Sequence, residues 1–369
     1  MRVIVFGAGK VGATIVDMLA ATGGLYSVTA ADRDPAALAR MPARIRTELV
    51  DVADEGAVRD AIAGHDAAVS ACPFFVNPTI AAAARAAGAH YFDLTEDVET
   101  TAAVRAIAEG APTAFVPQCG LAPGFVGIVA HALAQRFERL RSVRLRVGAL
   151  PRYPSNALKY NLTWSTDGLI NEYCNPCEAI EGGRRVLVQP LEGLERFALD
   201  GVEYEAFNTS GGLGTLCETL AGRVESLNYR TIRYPGHRDI ARLLLEDLRL
   251  KDRRELLKDV LENAVPATAQ DVVLIVVAAS GWTADGRLVE ETYARRVFGD
   301  EQAAAGGGAS AIQRTTASGV CAMVDLLRRG RLPASGFVPQ ERARLDEFLE
   351  SPFAAVYGGG QEATVLQAA

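Results

Sequence analysis

Two stretches hold the residues best suited to chemistry. The first, Gly7-Ala8-Gly9-Lys10-Val11-Gly12, places three glycines in GxGxxG spacing directly after the apolar run Val3 to Phe6. Gly7 allows a tight turn, Gly9 lets the backbone approach a phosphate closely, and Gly12 lets the next helix pack against the strand. Lys10 and Val11 open that helix, whose free N–H groups attract an anion. Asp32 follows Gly12 by twenty positions, at the end of a second apolar run. A carboxylate there accepts hydrogen bonds from both ribose hydroxyls and repels a 2′-phosphate, so the spacing predicts NAD over NADP; Arg33 beside it argues the other way. Asp51-Val52 closes a third run, where adenine would lie. Cys72-Pro73 closes a fourth, on the nicotinamide side.

The second stretch, Thr231-Ile232-Arg233-Tyr234-Pro235-Gly236-His237, carries β-type residues up to a cation, then a turn, then one of only four histidines. Arg233 is either half of a salt bridge or a clamp for a substrate carboxylate. His237 either caps a helix starting near Arg238 or titrates in the working range. Trp164, beside Ser165 and Thr166, is either core or a pocket edge. Cys174-Asn175-Pro176-Cys177 has the spacing of half a zinc site. A structural zinc needs four ligands and no second pair exists, so thiols beside a turn and no metal are expected.

Elements must hold these residues in place. Strand-like runs at Val3–Phe6, Tyr26–Ala31, Arg46–Val50, Ala67–Ala71, Tyr91–Asp93 and Thr113–Val116 alternate with helical patterns at Val11–Ala21, Asp54–Ile62 and Pro78–Ala87. That alternation predicts α/β architecture: an N-terminal Rossmann-type, doubly wound parallel sheet. Beyond Val116 the pattern changes. A helix is expected from Gly120 to about Phe137, and a half-exposed strand at Val143–Gly148. Further strands are expected at Arg184–Val188, Glu203–Phe207, Val224–Tyr229 and Val272–Ala279, with helices near Thr166–Tyr173 and Arg238–Leu248. This predicts an α+β catalytic domain with a mixed, largely antiparallel sheet. Gly306-Gly307-Gly308 reads as a break before a helix from about Ala309 to Arg328. The expected division is 1–125 for the dinucleotide, 126–308 for substrate and dimerisation, and 309–369 as a helix and tail returning to the first domain.

The chain has 369 residues, which exceeds one ordinary core, and 49% are hydrophobic, which excludes a disordered polymer. A formal charge of −7 excludes a basic footprint, so no nucleic-acid partner is expected. No apolar run reaches spanning length, Met1 leads directly into a strand, and the six cysteines are scattered. A cytoplasmic protein with reduced thiols and no membrane partner is the expectation.

Several stretches together resemble one family: VSACPFFVN from Val69, HYFDLTED from His90, PQCGLAPGF from Pro117, YNLTWSTDGLINEY from Tyr160, EAFNTSGG from Glu205, and TIRYPGH. They resemble the saccharopine dehydrogenase-like superfamily, and within it the L-lysine 6-dehydrogenase branch, over most of the chain up to about Pro339. The resemblance implies two domains with the substrate between their sheets. It implies NAD-dependent oxidation of the lysine side-chain amine, giving ammonia and allysine, which cyclises to piperideine-6-carboxylate. It implies that Arg233 binds a substrate carboxylate, that Thr95-Glu96 and Leu121-Ala122-Pro123 line the site, and that Trp164-Ser165 lies near the nicotinamide. Tyr160, Thr209 and Ser210 are further substrate-contact candidates on these stretches. Glutamate-forming saccharopine reductases carry an arginine where this chain has Asn208-Thr209-Ser210, and an aspartate where it has Ala122. Losing a cation while keeping the acids Glu96, Asp97, Asp167 and Glu172 fits a substrate with one carboxylate and two amines.

The chemistry then requires a base. Hydride can leave the ε-carbon only from the neutral amine, whose ammonium has a pKa of about 10.4 in solution. Glu96 is the first candidate base and His237 the second, while Asp167 suits an ammonium. Rival readings are a saccharopine or carboxynorspermidine-type reductase of the same fold, and a non-catalytic dinucleotide-binding regulator. A homodimer is expected.

Overall fold

A computed structural model describes residues 1–302, 308–358 and 365–366. Gly306-Gly307 of the expected break lie outside the described residues, as does the tail from Gly359 apart from Val365–Leu366. In chain order the first elements are β1 (Arg2–Phe6), α1 (Lys10–Ala20), β2 (Ser27–Asp32), α2 (Pro35–Ala39), β3 (Arg46–Leu49), α3 (Glu55–Ile62), β4 (Ala67–Ser70), α4 (Asn77–Ala87), β5 (His90–Asp93), α5 (Val98–Ala108), β6 (Ala114–Val116) and α6 (Phe125–Ala134). Next come β7 (Arg139–Pro151), α7 (Thr166–Cys174), β8 (Cys177–Glu181), β9 (Arg184–Val188), β10 (Glu195–Leu199), β11 (Val202–Asn208), α8 (Leu216–Thr219), β12 (Val224–Arg233), α9 (His237–Arg242) and α10 (Arg254–Ala264). The chain ends with β13 (Asp271–Trp282), β14 (Leu288–Phe298), α11 (Ala311–Arg328), β15 (Gly336–Phe337), α12 (Leu345–Leu349) and β16 (Val365–Leu366).

Two compact units form. The first comprises Met1–Ile128 and Gln313–Gly358, the second Val129–Ile312 with the end of the chain. In the first, seven strands lie in the order β15-β6-β5-β4-β1-β2-β3, all parallel. Strand order reverses between β1 and β4, where an open α/β sheet binds its ligand at the carboxyl ends of the strands. Apolar runs fill both faces because helices cover both, as a parallel sheet requires. Helix starts are fixed locally. Asp54 accepts from the N–H of Gly56 at 2.9 Å, and Asp97 accepts from the N–H of Thr100 at 2.7 Å. α11 packs backbone-close in this unit: a Cβ on Gly319 would lie 2.5 Å from the Cys119 carbonyl.

In the second unit nine strands form a mixed sheet. Its main path is β14-β13-β7-β12-β11-β10-β16, and β8 and β9 hang from β12. Only β7 and β12 run parallel; the other pairings are antiparallel. Val143–Gly148, expected as a half-exposed strand, is the middle of the longer β7, buried continuously from Leu145 to Pro151. β13 and β12 flank it, which alternation in the sequence could not reveal. β8, β10, β14 and α10 had no separate expectation. β10 and β14 carry their charges in adjacent pairs, Glu195-Arg196, Glu290-Glu291 and Arg295-Arg296, and so lack the alternation that marks a strand.

Candidate functional site

The first unit builds a dinucleotide cradle. Gly7 has φ 95°, and a Cβ there would meet the Ala71 carbonyl oxygen at 2.8 Å. A Cβ on Gly12 would sit 1.7 Å from the Gly7 carbonyl oxygen. A Cβ on Gly9 would meet nothing within 4 Å, which leaves space for a phosphate over the start of α1. No side chain caps that helix, so its first N–H groups face this space. Asp32 accepts from the Ala8 N–H at 2.6 Å and from the Asp34 N–H at 2.8 Å, so one carboxylate fixes both the glycine turn and the end of β2. The residues present therefore fit a dinucleotide.

Lys10 and Arg33 are exposed, and Val11 is half-buried. Asp51 accepts from the Ala53 N–H at 3.0 Å, shaping the turn after β3, while Val52 packs on the core. Pro73 is exposed, and burial pushes the Cys72 thiol up to about 12, so it stays protonated.

Asp93 was not singled out from the sequence, yet it organises the loops after β5 and β6. One carboxylate oxygen accepts from the Thr95 N–H at 3.0 Å and the Gln118 N–H at 2.9 Å; the other accepts from the Tyr91 hydroxyl at 3.0 Å. Gln118 has φ 64°, a left-handed conformation that this bond helps hold. Burial raises the Asp93 carboxyl to about 6. The only sequence signal was its place as the strand-end acid of HYFDLTED. Asp93 thus fixes both Thr95-Glu96 and the segment leading to the buried Leu121 and Pro123. Glu96 is half-buried, bonds to its own backbone N–H, and has no ion pair among the described residues. Burial first, then the charges of Asp97 and Asp93, push its carboxyl up to about 7. A carboxylate at that value can take and return protons near neutrality.

The second unit holds a buried cation. Arg233, at the end of β12, is 2% exposed. Its register partner on β11 is Glu205, the obvious salt-bridge candidate. The Glu205 carboxylate instead accepts from the N–H groups of Gly236 at 2.9 Å and Arg238 at 2.7 Å, capping α9. No described carboxylate lies within 4.0 Å of the Arg233 guanidinium. Nε donates to the Tyr173 hydroxyl at 2.8 Å and Nη1 to the Ile232 carbonyl at 2.8 Å. The Tyr160 ring lies 5.0 Å from the guanidinium carbon, and Trp164 Nε1 donates to the Tyr160 hydroxyl at 3.0 Å.

His237 completes this arrangement without being a free base. Its Nε2 lies 2.9 Å from the Tyr173 hydroxyl and its Nδ1 lies 2.8 Å from the Leu158 carbonyl. A carbonyl only accepts, so Nδ1 carries the proton and Nε2 accepts from Tyr173, whose oxygen accepts from Arg233. Burial, then the charge of Arg233, pushes the ring down to about 3, so it stays neutral. The expected catalytic role therefore fails on geometry: both nitrogens are committed. The expected cap role fails too, because Glu205 caps α9. Asp167 is also elsewhere than expected. It ion-pairs with Lys258 at 2.7 Å in a half-exposed contact, and Ser165 caps α7 by accepting from the Gly168 N–H at 3.2 Å. Ser210 is tied to α7 through the Glu172 and Asn171 carbonyls at 3.0 and 3.2 Å. Thr209 is 2% exposed, and its hydroxyl has no hydrogen-bond partner among the described residues. The structure thus gathers Arg233, Tyr160, Trp164, Tyr173 and His237 in one unit and Thr95, Glu96, Leu121 and Pro123 around Asp93 in the other. Tyr173 and Asp93 were not singled out in the sequence.

Comparison with known proteins agrees with this architecture. Residues 3–116 match the saccharopine dehydrogenase NADP binding domain, and residues 120–353 match the saccharopine dehydrogenase C-terminal domain. The fold is similar to saccharopine dehydrogenase (L-Glu forming) from Saccharomyces cerevisiae, with a TM-score of 0.80 and 18% identity over 99% of both chains. It is also similar to homospermidine synthase from Legionella pneumophila, solved with NAD, with a TM-score of 0.68 and 13% identity over 99% of this chain and 91% of that one. Two adjoining matches cover nearly the whole chain, and the glycine cradle suits the cofactor they imply. The chain belongs to the saccharopine dehydrogenase family of NAD(P)-dependent oxidoreductases.

Proposed function

We propose that this oxidoreductase oxidises the ε-amine of L-lysine with NAD, releasing ammonia and allysine, which cyclises to piperideine-6-carboxylate. The observation that carries the reading is Arg233: a guanidinium 2% exposed with no carboxylate within 4.0 Å among the described residues. A buried cation needs an anion, and a guanidinium takes a carboxylate with two parallel bonds. Of the other buried arginines of this unit, Arg146 has a carboxylate partner in Glu195, which also pairs with Arg230. One open clamp suits a substrate with one carboxylate, which lysine is and saccharopine, with three, is not.

Glu96 is the proposed base. Near neutrality it accepts a proton from the ε-ammonium, so the amine lone pair can assist departure of hydride from the ε-carbon. A bound oxidised nicotinamide supplies the hydride acceptor. Glu96 releases that proton to solvent, takes one from the water that adds to the resulting iminium, and returns it to the amine nitrogen as the carbinolamine collapses to aldehyde and ammonium. The balance is one lysine, one oxidised dinucleotide and one water giving allysine, ammonium, reduced dinucleotide and one proton. Asp32 supports NAD, since its carboxylate stands where a 2′-phosphate would be repelled.

The test is a pair of assays. Lysine with NAD should give equal amounts of NADH and ammonia. No turnover with lysine, together with NADPH consumption when lysine is mixed with 2-oxoglutarate or an aldehyde partner, would assign the protein to the reductase branch. Cofactor binding with no turnover in either assay would make it a regulator.

A further inference from the structure

We propose that the second unit reads the α-ammonium of its substrate as well as the carboxylate: Glu172 pairs with that ammonium, and the Thr209 hydroxyl accepts a hydrogen bond from it. The proposal rests on Arg233 being the carboxylate clamp. It makes the ligand class of this subsite an α-amino acid and not a simple carboxylate.

Contacts close a ring around the clamp. Arg233 Nε donates to the Tyr173 hydroxyl at 2.8 Å. Tyr173 follows Glu172 in the last turn of α7, and Glu172 is 6% exposed. That turn holds the loop after β11. The Glu172 carbonyl accepts from the Ser210 N–H at 3.0 Å, and the Asn171 carbonyl accepts from Ser210 Oγ at 3.2 Å. Thr209 is therefore pinned beside the turn. A Cβ on Gly212 would lie 2.5 Å from the Tyr229 ring, so the same loop rests on Tyr229. Tyr229 precedes Arg233 by four positions on β12, so both side chains leave one face of the sheet. The Glu172 charge acts on Arg233, Tyr173 and Tyr229 of this ring, and on Tyr160.

Two features of this ring call for an ammonium. Thr209 is 2% exposed, and its hydroxyl has no hydrogen-bond partner among the described residues. A buried hydroxyl left unpaired is costly, so a ligand that pairs it gains affinity. The second feature is a buried carboxylate near a clamp that itself takes a carboxylate. A ligand carrying only an anion would set like charges against each other in a site with little water to screen them. An α-amino acid avoids this, because its ammonium sits on the carbon next to its carboxylate and can lie between the two anions. Arg233, ligand carboxylate, ligand ammonium and Glu172 then alternate in sign. A hydroxyl can accept from an ammonium and donate to a carboxylate at once, and an α-amino acid presents that pair to Thr209. Asp167, expected to hold an ammonium, is spent on Lys258, which leaves the role to Glu172 for the α-nitrogen.

Titration calorimetry of the intact protein saturated with NAD tests the proposal with two ligands that lack an ε-amine. They are L-norleucine and hexanoate, which is the same chain without the α-amine. Norleucine should bind about tenfold tighter or more, as expected for a hydrogen bond to a charged group. Equal binding, or no binding of norleucine, overturns the proposal. Glu172→Gln should weaken norleucine by about tenfold and leave hexanoate unchanged or tighter, since the repulsion is removed. Loss of both ligands by the same factor would mean that Glu172 only shapes the clamp, and overturns its assignment. Thr209→Val keeps the side-chain shape and should weaken norleucine severalfold without touching hexanoate, and Thr209→Ser should restore it. Norleucine binding unchanged in Thr209→Val overturns the role of that hydroxyl. Should Glu172→Gln fail to fold, the ligand pair on the intact protein and the Thr209 variants still decide. The lysine reading fails separately. Selective norleucine binding without oxidation of lysine keeps the α-amino acid subsite and discards the reaction; oxidation of lysine with equal binding of norleucine and hexanoate does the reverse.

Discussion

Nε of Arg233 donates to the Tyr173 hydroxyl at 2.8 Å, and that hydroxyl donates onward to Nε2 of His237 at 2.9 Å. The guanidinium is thus aimed by a neutral relay that ends on the Leu158 carbonyl, and charge stays on one residue. A relay of fixed direction pre-organises the clamp, so substrate binding need not order it.

Arg233→Ala should raise KM for lysine by about 10- to 150-fold, the loss of one or two hydrogen bonds to a charged group. Tyr173→Phe should raise KM by about tenfold, with kcat changed less, because the clamp remains but loses its orientation. Steady-state kinetics with lysine decide both. An unchanged KM in Arg233→Ala would falsify the carboxylate assignment.

Glu96 must be ionised to accept a proton, and its carboxyl is pushed up to about 7. The kcat/KM profile should therefore rise with pH and level off above an apparent pKa near 7. Glu96→Gln should lower kcat by about 10²- to 10⁴-fold and abolish that limb. A variant that keeps the limb at wild-type rates assigns the base to another group.

His237 predicts a different signature. Its ring is held neutral, with a folded value near 3 against about 6.5 unfolded. The folded pKa is depressed, so at acid pH the unfolded chain binds the extra proton. This contribution to stability is full above about pH 6.5 and declines as pH falls toward 3. His237→Gln should be less stable than wild type at pH 7. The gap should narrow by up to about 2 kcal/mol at pH 5, measured by urea unfolding at both values. Its KM should rise severalfold while the activity limb near 7 stays in place. Loss of that limb in the variant would restore His237 as the base.

Asp32, at the end of β2, accepts from the Ala8 N–H of the glycine turn at 2.6 Å. Asp32→Ala should weaken NAD binding by about tenfold or more and narrow the preference between NAD and NADP. Fluorescence titration with both reduced cofactors measures this. Unchanged discrimination would show that other residues set cofactor choice.

The dinucleotide half of the protein was largely legible. Glycine spacing, strand-end acids and capping residues act over a few positions, so the order of residues carries them. Gly12 is an example: its need for a missing side chain depends on a turn five residues away. The second sheet was less legible. β10 and β14 read as polar segments because their charges are matched across strands, and such matching has no local period.

The sequence by itself determined the parallel sheet, the glycine cradle and the presence of a cation at the end of β12, since each follows from local periodicity and spacing. Only the tertiary structure decided what the charges do. Asp167 went to Lys258, Glu205 turned to cap α9, and His237 spent both nitrogens, while Glu96 and Arg233 form no ion pair within 4.0 Å among the described residues, the charge of Glu172 acting on Arg233 from farther away. Pairing between charged side chains is settled by which strands and helices meet across long stretches of chain. Residue type alone fixes only what each group could accept or donate.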